Sequence, residues 1–432
     1  MRPTPQPPPF GGAELKEPGT HLETCRSSER RITFCNVPVY KHVTPNGGET
    51  RSSFRTNEVE IETASWLFNH LSGMKEIAKG SAKGSLVADV LAGSWRRSVS
   101  PAIGITESQL DEVTPLLYAS GGAALGWWRV KETALRTTPS GEVLHQAYRL
   151  QALQSRIHEQ KIKKVFHLLR QANVEPILAK GWAASNLYPD RALRAYGDID
   201  LLVREQEIAR AEEVLASRES SDCWVDLHGR FSELADRTVD NLFERSRLAD
   251  LNGEQIRILS DEDHLALLAI HLLKHGAWRP LWLCDIAAAI ESTPKDFNWD
   301  ICLGRDKRRM GWIAVALALA MELFGAESKY LTERAHAKLP TWLVKSVLKQ
   351  WGRLFPANHL PIQALPLMVT NLRNPLRLLK ATWQRWPDPI TATFNLNGCF
   401  SGFPRLPYQI GALVSQSGRF LIDLPTKLDQ RR

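Results

Sequence analysis

Cysteine is scarce in this chain, and its spacing forms no pattern. Six cysteines are scattered over 432 residues, and no two of them form a C-x-x-C pair. Zinc knuckles and redox-active dithiols need closely spaced pairs, and secreted disulfide frameworks need a much higher cysteine density. The cysteine usage therefore argues against these classes and predicts reduced thiols in a cytoplasmic protein.

Long hydrophobic runs are also missing. A helix that spans a bilayer needs about 20 predominantly apolar residues. The longest apolar segment, Ile313 to Ala320, is followed directly by Met321 and Glu322, which is typical of a core helix. The first residues, MRPTPQPPPF, lack the apolar centre of a signal peptide. The sequence therefore predicts no transmembrane segment.

Positive charge is nearly balanced everywhere except near the C-terminus. From Thr341 to Arg432, twelve Lys and Arg oppose three Asp. Within residues 371–386, NLRNPLRLLKATWQRW, basic side chains alternate with Leu and Trp. Such a helix either lies on a membrane surface or on an anionic partner, or it docks its apolar side on the core with its basic side in water. No recognised nucleic-acid module accompanies this charge.

Composition divides the chain into five segments. Residues 1–57 are rich in Pro, Gly, Ser and Thr and predict a disordered extension. Apolar residues at helical spacing predict an N-terminal helical region over 58–141. Residues 142–260 open with a long amphipathic helix and then show strand patterns, and residues 261–357 return to helical spacing. Residues 358–432 form a basic segment rich in Pro, Trp and Arg.

The stretch from Ile177 to Val203 carries the main candidate site. A short apolar run ends at Lys180-Gly181, and the stretch closes with the buried-strand pattern Gly-Asp-Ile-Asp-Leu-Leu-Val. Residues two apart share one face of a strand, so Asp198 and Asp200 are expected to project together. Two adjacent carboxylates repel each other unless a cation lies between them. This pair therefore predicts a divalent metal site.

Basic residues around this pair predict phosphate binding. A strand–Gly–helix junction at Lys180-Gly181 exposes backbone N–H groups that favour anions. Arg191 and Arg194, in the loop before the acidic pair, are placed to reach phosphate oxygens. The alternative for both arginines is surface pairing with Asp190 or Glu205, which stabilises a fold little.

The stretch from Leu178 to Val203 has the pattern L-x-K-G…L-Y-P-D-x-x-L-R-x-x-G-D-I-D-L-L-V. This pattern resembles the bacterial uncharacterised nucleotidyltransferase family, which is a branch of the polymerase-beta-like superfamily. The resemblance continues more thinly to about Ile290. It implies an α+β fold, in which a small mixed-sheet nucleotidyltransferase core at 142–260 is flanked by N-terminal helices and a C-terminal helical domain. It also implies an NTP donor and Mg²⁺ or Mn²⁺. Two features differ from the superfamily pattern: its usual Gly-Ser is replaced by Lys180-Gly181, and the interval from Gly181 to Asp198 is longer.

A second alternating segment, Cys223 to Phe231, predicts a neighbouring strand. Asp226 and His228 share one of its faces. The superfamily carries a third carboxylate on such a strand, so the resemblance assigns this place to Asp226. Three carboxylates around one or two metal ions would offset triphosphate charge, and the third could accept a proton from an attacking hydroxyl.

The helical pattern after Ser260 places His271 and His275 on one helix face. The spacing matches zinc-protease helices, but the sequence His-Leu-Leu-Lys-His lacks their catalytic glutamate. The alternatives are a structural contact with the catalytic domain and a role in the substrate cleft, which the resemblance supports for these histidines and for Asp285.

These observations predict a metal-dependent nucleotidyltransferase that moves a nucleoside monophosphate from an NTP to an acceptor hydroxyl and releases pyrophosphate. Asp198, Asp200 and Asp226 are the predicted metal and catalytic residues, with Lys180, Gly181, Arg191 and Arg194 on the triphosphate. His228 is a further candidate for the substrate cleft. A small-molecule alcohol, a protein side chain and an RNA end all remain open as acceptors. The competing hypothesis is a catalytically inactive nucleotide-binding adaptor, possibly membrane-peripheral through 371–386.

Overall fold

The computed structural model describes residues 80–98, 103–354 and 386–415. Within these ranges, helices surround a five-stranded mixed sheet, which confirms the predicted α+β class. The predicted extension at 1–57, the helical pattern that begins at residue 58, and nearly all of the basic segment 371–386 lie outside the described residues.

The sheet has the strand order β3-β2-β1-β5-β4. The central strand β1 pairs antiparallel with β2 and parallel with β5. Strands β2 and β3 are parallel, and β4 and β5 form an antiparallel hairpin. The bounds are β1 Ile177–Ala179, β2 Ile199–Leu202, β3 Val225–His228, β4 Arg247–Leu251 and β5 Glu254–Ile258. This order places the end of β1 and the start of β3 on either side of β2.

In the part of the chain that the structure describes, four helices precede the sheet: α1 at residues 80–91, α2 Glu107–Ser120, α3 Ala123–Val130 and α4 Pro139–Gln171. Their ends follow capping rules. Thr106 and Gln109 form a capping box at the start of α2, and Gly121 ends that helix in the left-handed conformation. Thr138 caps α4, with Pro139 at its first turn.

Three short helices lie between the strands: α5 Gly181–Ser185, α6 Ile208–Leu215 and α7 Val239–Arg245. After the sheet, the described ranges up to residue 354 and from 386 to 415 contain α8 Asp261–Lys274, α9 Pro280–Glu291, α10 Trp299–Leu303, α11 Lys307–Phe324, α12 Thr341–Trp351, α13 Pro389–Asn395 and α14 at residues 406–415. Ser260 caps α8, as its sequence predicts.

Alternation along the strands divides the apolar core into two clusters. Leu178 and Leu201 pack with Phe166 of α4 on one face of the sheet. Ile177 and Leu202 pack on the other face with the large helical cluster that includes α8, α9 and α11. Each fully buried side chain of this size contributes about 2 kcal/mol. Because both faces are covered, a polar residue within β2 has to be paired.

None of the helices in the described ranges combines the length and the apolar character needed to cross a membrane.

His264 gives the folded protein a dependence on pH. Its side chain is buried in α8, and its Nε2 makes no hydrogen bond to the described residues. Burial lowers the pKa of His264 from 6.5 to about 4. The unfolded chain then binds the proton more tightly, so stability falls as the pH drops from about 6.5 towards 4. We expect His264 to account for a loss of about 2 kcal/mol in unfolding free energy between pH 7 and pH 5.

Urea unfolding of the wild type and His264→Gln at both pH values measures this loss. The variant should lose about 2 kcal/mol less than the wild type on acidification. Equal losses in the two proteins would contradict the prediction.

Candidate functional site

Two neighbouring parallel strands bring acidic and basic side chains together. β2 and β3 pair in register, so Asp200 lies opposite Asp226, and Leu202 opposite His228. One ligand atom from each of Asp200, Asp226 and His228 lies within 4.8 Å of the other two. His228 Nε2 is 3.2 Å from Asp226 Oδ2 and 3.5 Å from Asp200 Oδ1, although neither contact is a well-aligned hydrogen bond.

Lys180 completes this group from the end of β1. Its Nζ donates to Asp200 Oδ1 at 2.7 Å, and the Lys180 side chain is 14% exposed. Lys180 adopts φ 52° and ψ −129°, a conformation that costs a residue with a Cβ about 1–3 kcal/mol. The strained turn aims a buried ammonium at a buried carboxylate. We call Lys180, Asp200, Asp226 and His228 the strand cluster.

Each charged group of the strand cluster stabilises the charged form of its neighbours. Burial alone would raise the pKa of the Asp200 carboxyl, but Lys180 and His228 outweigh it and lower the pKa to about 2. Burial alone would lower the pKa of His228, but the Asp200 and Asp226 carboxylates raise it to about 9. At neutral pH, Asp200 is therefore ionised and His228 carries a proton.

Asp198 lies immediately before β2 and is exposed, whereas Asp200 is buried. Asp198 is not one of the residues whose ligand atoms lie within 4.8 Å of one another. Its negative charge still acts on Lys180, whose pKa it helps to raise. The structure thus brings Asp200 and Asp226 together and leaves Asp198 at the exposed edge, where its role as a metal ligand stays a prediction.

The strained turn at Lys180 leads to a testable difference between two substitutions. Lys180→Met removes the cation and leaves the buried Asp200 carboxylate short of a partner, which should cost about 3 kcal/mol of unfolding free energy. Lys180→Gly removes the same cation but also relieves the positive φ, so it should be about 1 kcal/mol more stable than Lys180→Met. Urea unfolding at pH 7 measures the unfolding free energy of both variants. If the glycine variant is less stable than the methionine variant, the backbone at Lys180 is not strained.

The predicted contact of Arg194 with phosphate needs correction. The Arg194 side chain is 7% exposed, and its Nη2 donates to Asp285 Oδ2 at 2.8 Å while Nε lies 3.2 Å from Oδ1. Tyr188 donates its hydroxyl proton to the same carboxylate at 2.8 Å. Asp285 is fully buried in this ion pair, and its place in a substrate cleft stays a prediction. This ion pair fixes the loop before β2 to α9.

Arg191 and Gly181 are the other two predicted triphosphate residues. Arg191 Nε donates to Asn186 Oδ1 at 2.8 Å, and Nη1 lies 3.4 Å from Glu159 Oε1. Its partners are thus neither Asp190 nor Glu205. Gly181 is the buried first residue of α5, and a methyl group there would meet its neighbours at ordinary contact distance. Triphosphate contacts by these two residues stay a prediction.

The two helix histidines join a residue that the sequence did not point to. His271 of α8 and His275, the C-cap of that helix, lie next to Glu233, and one ligand atom from each of the three falls within 4.8 Å of the others. Glu233 follows β3 in a single turn of 3₁₀ helix, Ser232–Leu234. Neither its spacing nor its neighbours in the sequence single it out, because only the fold brings this turn to the end of α8. We call Glu233, His271 and His275 the helix cluster.

The donors of the strand cluster suit a hard divalent cation. Asp200 and Asp226 supply carboxylate oxygens, the ligands that Mg²⁺ and Mn²⁺ prefer. His228 faces both carboxylates, but it is protonated at neutral pH and so adds positive charge rather than a ligand atom. The residues present therefore fit a Mg²⁺ or Mn²⁺ ion at this place.

Comparison with known proteins points to one family. Residues 106–325, about half of the chain, match the model of a family described as an uncharacterised nucleotidyltransferase. The match spans β1 to β5 and most of the helices that pack on them. It confirms the resemblance seen between Leu178 and Val203. No curated protein and no solved structure matches the chain.

Proposed function

Because the chain belongs to the uncharacterised nucleotidyltransferase family, we propose that it transfers a nucleoside monophosphate from an NTP to an acceptor hydroxyl and releases pyrophosphate. The observation that carries the proposal is the register of two parallel strands, which sets Asp200 opposite Asp226. Catalysis of phosphoryl transfer depends mainly on positioning the phosphate and stabilising its charge. Two carboxylates beside the basic side chains of Lys180 and His228 suit both tasks.

Asp200 and Asp226 would hold Mg²⁺ or Mn²⁺, with Asp198 as a further ligand from the exposed edge of β2. An ion held there would supply positive charge that offsets the negative charge developing during transfer. Asp200 suits this role because its carboxyl stays ionised well below neutral pH, with a pKa of about 2.

The other residues of the strand cluster position substrate and protons. Lys180 places a positive charge beside Asp200 and opposes the triphosphate's charge, as does protonated His228. The Asp226 side chain is 61% exposed, so an acceptor hydroxyl can approach it. The Asp226 carboxylate would take the hydroxyl proton as the acceptor oxygen attacks the α-phosphorus and pyrophosphate leaves.

One observation favours the alternative of an inactive nucleotide-binding adaptor. Lys180 and His228 already pair with the Asp200 carboxylate, so this group is stable without further ligands. An adaptor of this kind would bind NTP and leave its phosphoanhydride bonds intact.

Label transfer distinguishes the two functions. The purified chain is incubated with Mg²⁺ or Mn²⁺ and each α-³²P-labelled NTP, with a lysate as the source of acceptors, beside Asp198→Asn. Transfer of label with pyrophosphate release, reduced in the variant, supports the enzyme. NTP binding without transfer from any of the four nucleotides would support the adaptor instead.

A further inference from the structure

The helix cluster has the geometry of a cation site of its own. His271 Nδ1 lies 3.4 Å from Glu233 Oε1. Two donors bound to one tetrahedral zinc ion at about 2.0–2.1 Å lie about 3.3–3.4 Å apart. The His271 and His275 rings are 4.4 Å apart between centroids, and they come from successive turns of α8. Two imidazoles and one carboxylate thus converge on one point.

Packing holds these donors in place. The indole of Trp282 lies against both imidazoles, with ring centroids 4.7 Å from His271 and 5.4 Å from His275. Ser232 Oγ donates to Glu233 Oε2 at 3.0 Å, and Arg309 donates to the backbone carbonyl of Glu233. Such supporting contacts fix ligand orientation in metal sites.

The protonation state of these groups also suits cation binding. Glu233 is 4% exposed, and burial alone would raise its pKa, but His271 and nearby lysines lower it. Burial lowers the pKa of His271, and it lowers that of His275 to about 3. At neutral pH the cluster therefore offers an ionised carboxylate and two uncharged imidazoles, the forms that metals bind.

We propose that Glu233, His271 and His275 bind a first-row divalent cation such as Zn²⁺. Two imidazole donors select Zn²⁺ or Co²⁺ over Mg²⁺, which prefers oxygen ligands. This site uses none of the residues of the strand cluster, whose carboxylates suit Mg²⁺, although Lys180 of that cluster acts electrostatically on Glu233. A cation there would tie the turn that follows β3 to the end of α8, and so brace the strand that carries Asp226.

Lys274 competes with a cation for Glu233. Its Nζ donates to Glu233 Oε1 at 3.1 Å and to Ser232 Oγ at 2.8 Å. The Lys274 side chain is 37% exposed, so its ammonium has a route to solvent. A bound cation would replace it as the partner of Glu233. Removing the ammonium by Lys274→Met should therefore tighten Zn²⁺ binding, by about tenfold for one relieved repulsion at partial exposure.

Calorimetric titration of Zn²⁺ into the EDTA-stripped full chain tests the site. All proteins carry Asp226→Asn, so that the strand cluster is weakened as a competing site. We expect one Zn²⁺ per chain, a loss of affinity of at least about 100-fold in His275→Gln and in Glu233→Gln, and tighter binding in Lys274→Met. The matched control is His336→Gln, which removes an exposed histidine that bonds the Thr332 carbonyl, and it should bind Zn²⁺ unchanged.

A second readout covers variants that fold poorly. Saturating Zn²⁺ should raise the unfolding midpoint of the parent and of His336→Gln, whereas His275→Gln should show no rise. If Glu233→Gln does not fold, His275→Gln and Lys274→Met carry the test. The proposal is overturned if the parent binds no Zn²⁺, if His275→Gln binds it as the parent does, or if a 1,000-fold excess of Mg²⁺ displaces it.

Discussion

Asp226→Asn is expected to lower the rate of nucleotidyl transfer by about 1,000-fold or more while leaving the fold intact. The substitution removes the exposed carboxylate of the strand cluster, which we propose holds the cation and accepts the acceptor's proton. A 1,000-fold loss corresponds to about 4 kcal/mol of transition-state stabilisation. Because the side chain is 61% exposed, its loss should change the unfolding free energy by less than about 1 kcal/mol.

The matched control for Asp226→Asn is Asp222→Asn, four residues earlier. Asp222 is also an exposed carboxylate, but it pairs with Lys164 at 2.9 Å rather than with the strand cluster. Steady-state label transfer and thermal unfolding of the two variants separate catalysis from stability. Equal transfer rates in Asp226→Asn and Asp222→Asn would remove Asp226 from the mechanism.

Breaking the ion pair between Arg194 and Asp285 is expected to be the most destabilising single change near the site. Asp285→Asn leaves the Arg194 guanidinium buried without its counter-charge, which should cost about 3–5 kcal/mol of unfolding free energy. Arg194→Met leaves Asp285 with the Tyr188 hydroxyl as its remaining close partner, and the cost should be similar. Urea unfolding at pH 7 measures both losses.

The double variant Arg194→Met/Asp285→Leu distinguishes a buried ion pair from simple packing. Replacing both charges with apolar side chains removes the desolvation penalty along with the attraction, so the double variant should be more stable than either single one. If the losses of unfolding free energy in the two single variants instead add in the double variant, the two side chains act independently. The ion pair would then contribute little to stability.

The sequence predicted the strands around the candidate site well, because short-range rules decide them. The apolar run before Lys180 and the alternation around Asp200 and Asp226 each predicted a strand, and all three strands are present. Period-2 alternation also predicted that Asp226 and His228 share a face, and they are in contact. These features depend on residues close together in the chain, which a sequence displays directly.

Contacts between distant segments could not be predicted in this way. An arginine near an acidic pair looks like a phosphate ligand, but α9 lies 91 residues further on, and it supplies Asp285 as the partner of Arg194. Glu233 likewise meets His271 across 38 residues. In both cases burial decides the partner, and burial follows from tertiary packing.

The hairpin of β4 and β5 could have been predicted from its turn residues, although alternation along its strands did not indicate it. Asn252 and Gly253 form its turn with φ values of 51° and 86°. Asn-Gly is the preferred dipeptide for a two-residue hairpin turn, because both positions need positive φ. The strands on either side carry many charges, since β4 is an edge strand with one exposed face.

Mn²⁺ binding followed by electron paramagnetic resonance tests most directly whether Asp200 and Asp226 form a cation site. The wild type, Asp226→Asn and Asp222→Asn are titrated at pH 7 with an NTP present. We expect the wild type and Asp222→Asn to bind Mn²⁺ with equal affinity, and Asp226→Asn to bind it at least about tenfold more weakly. Equal affinity in all three proteins, or no binding in the wild type, would contradict a cation site between these two strands.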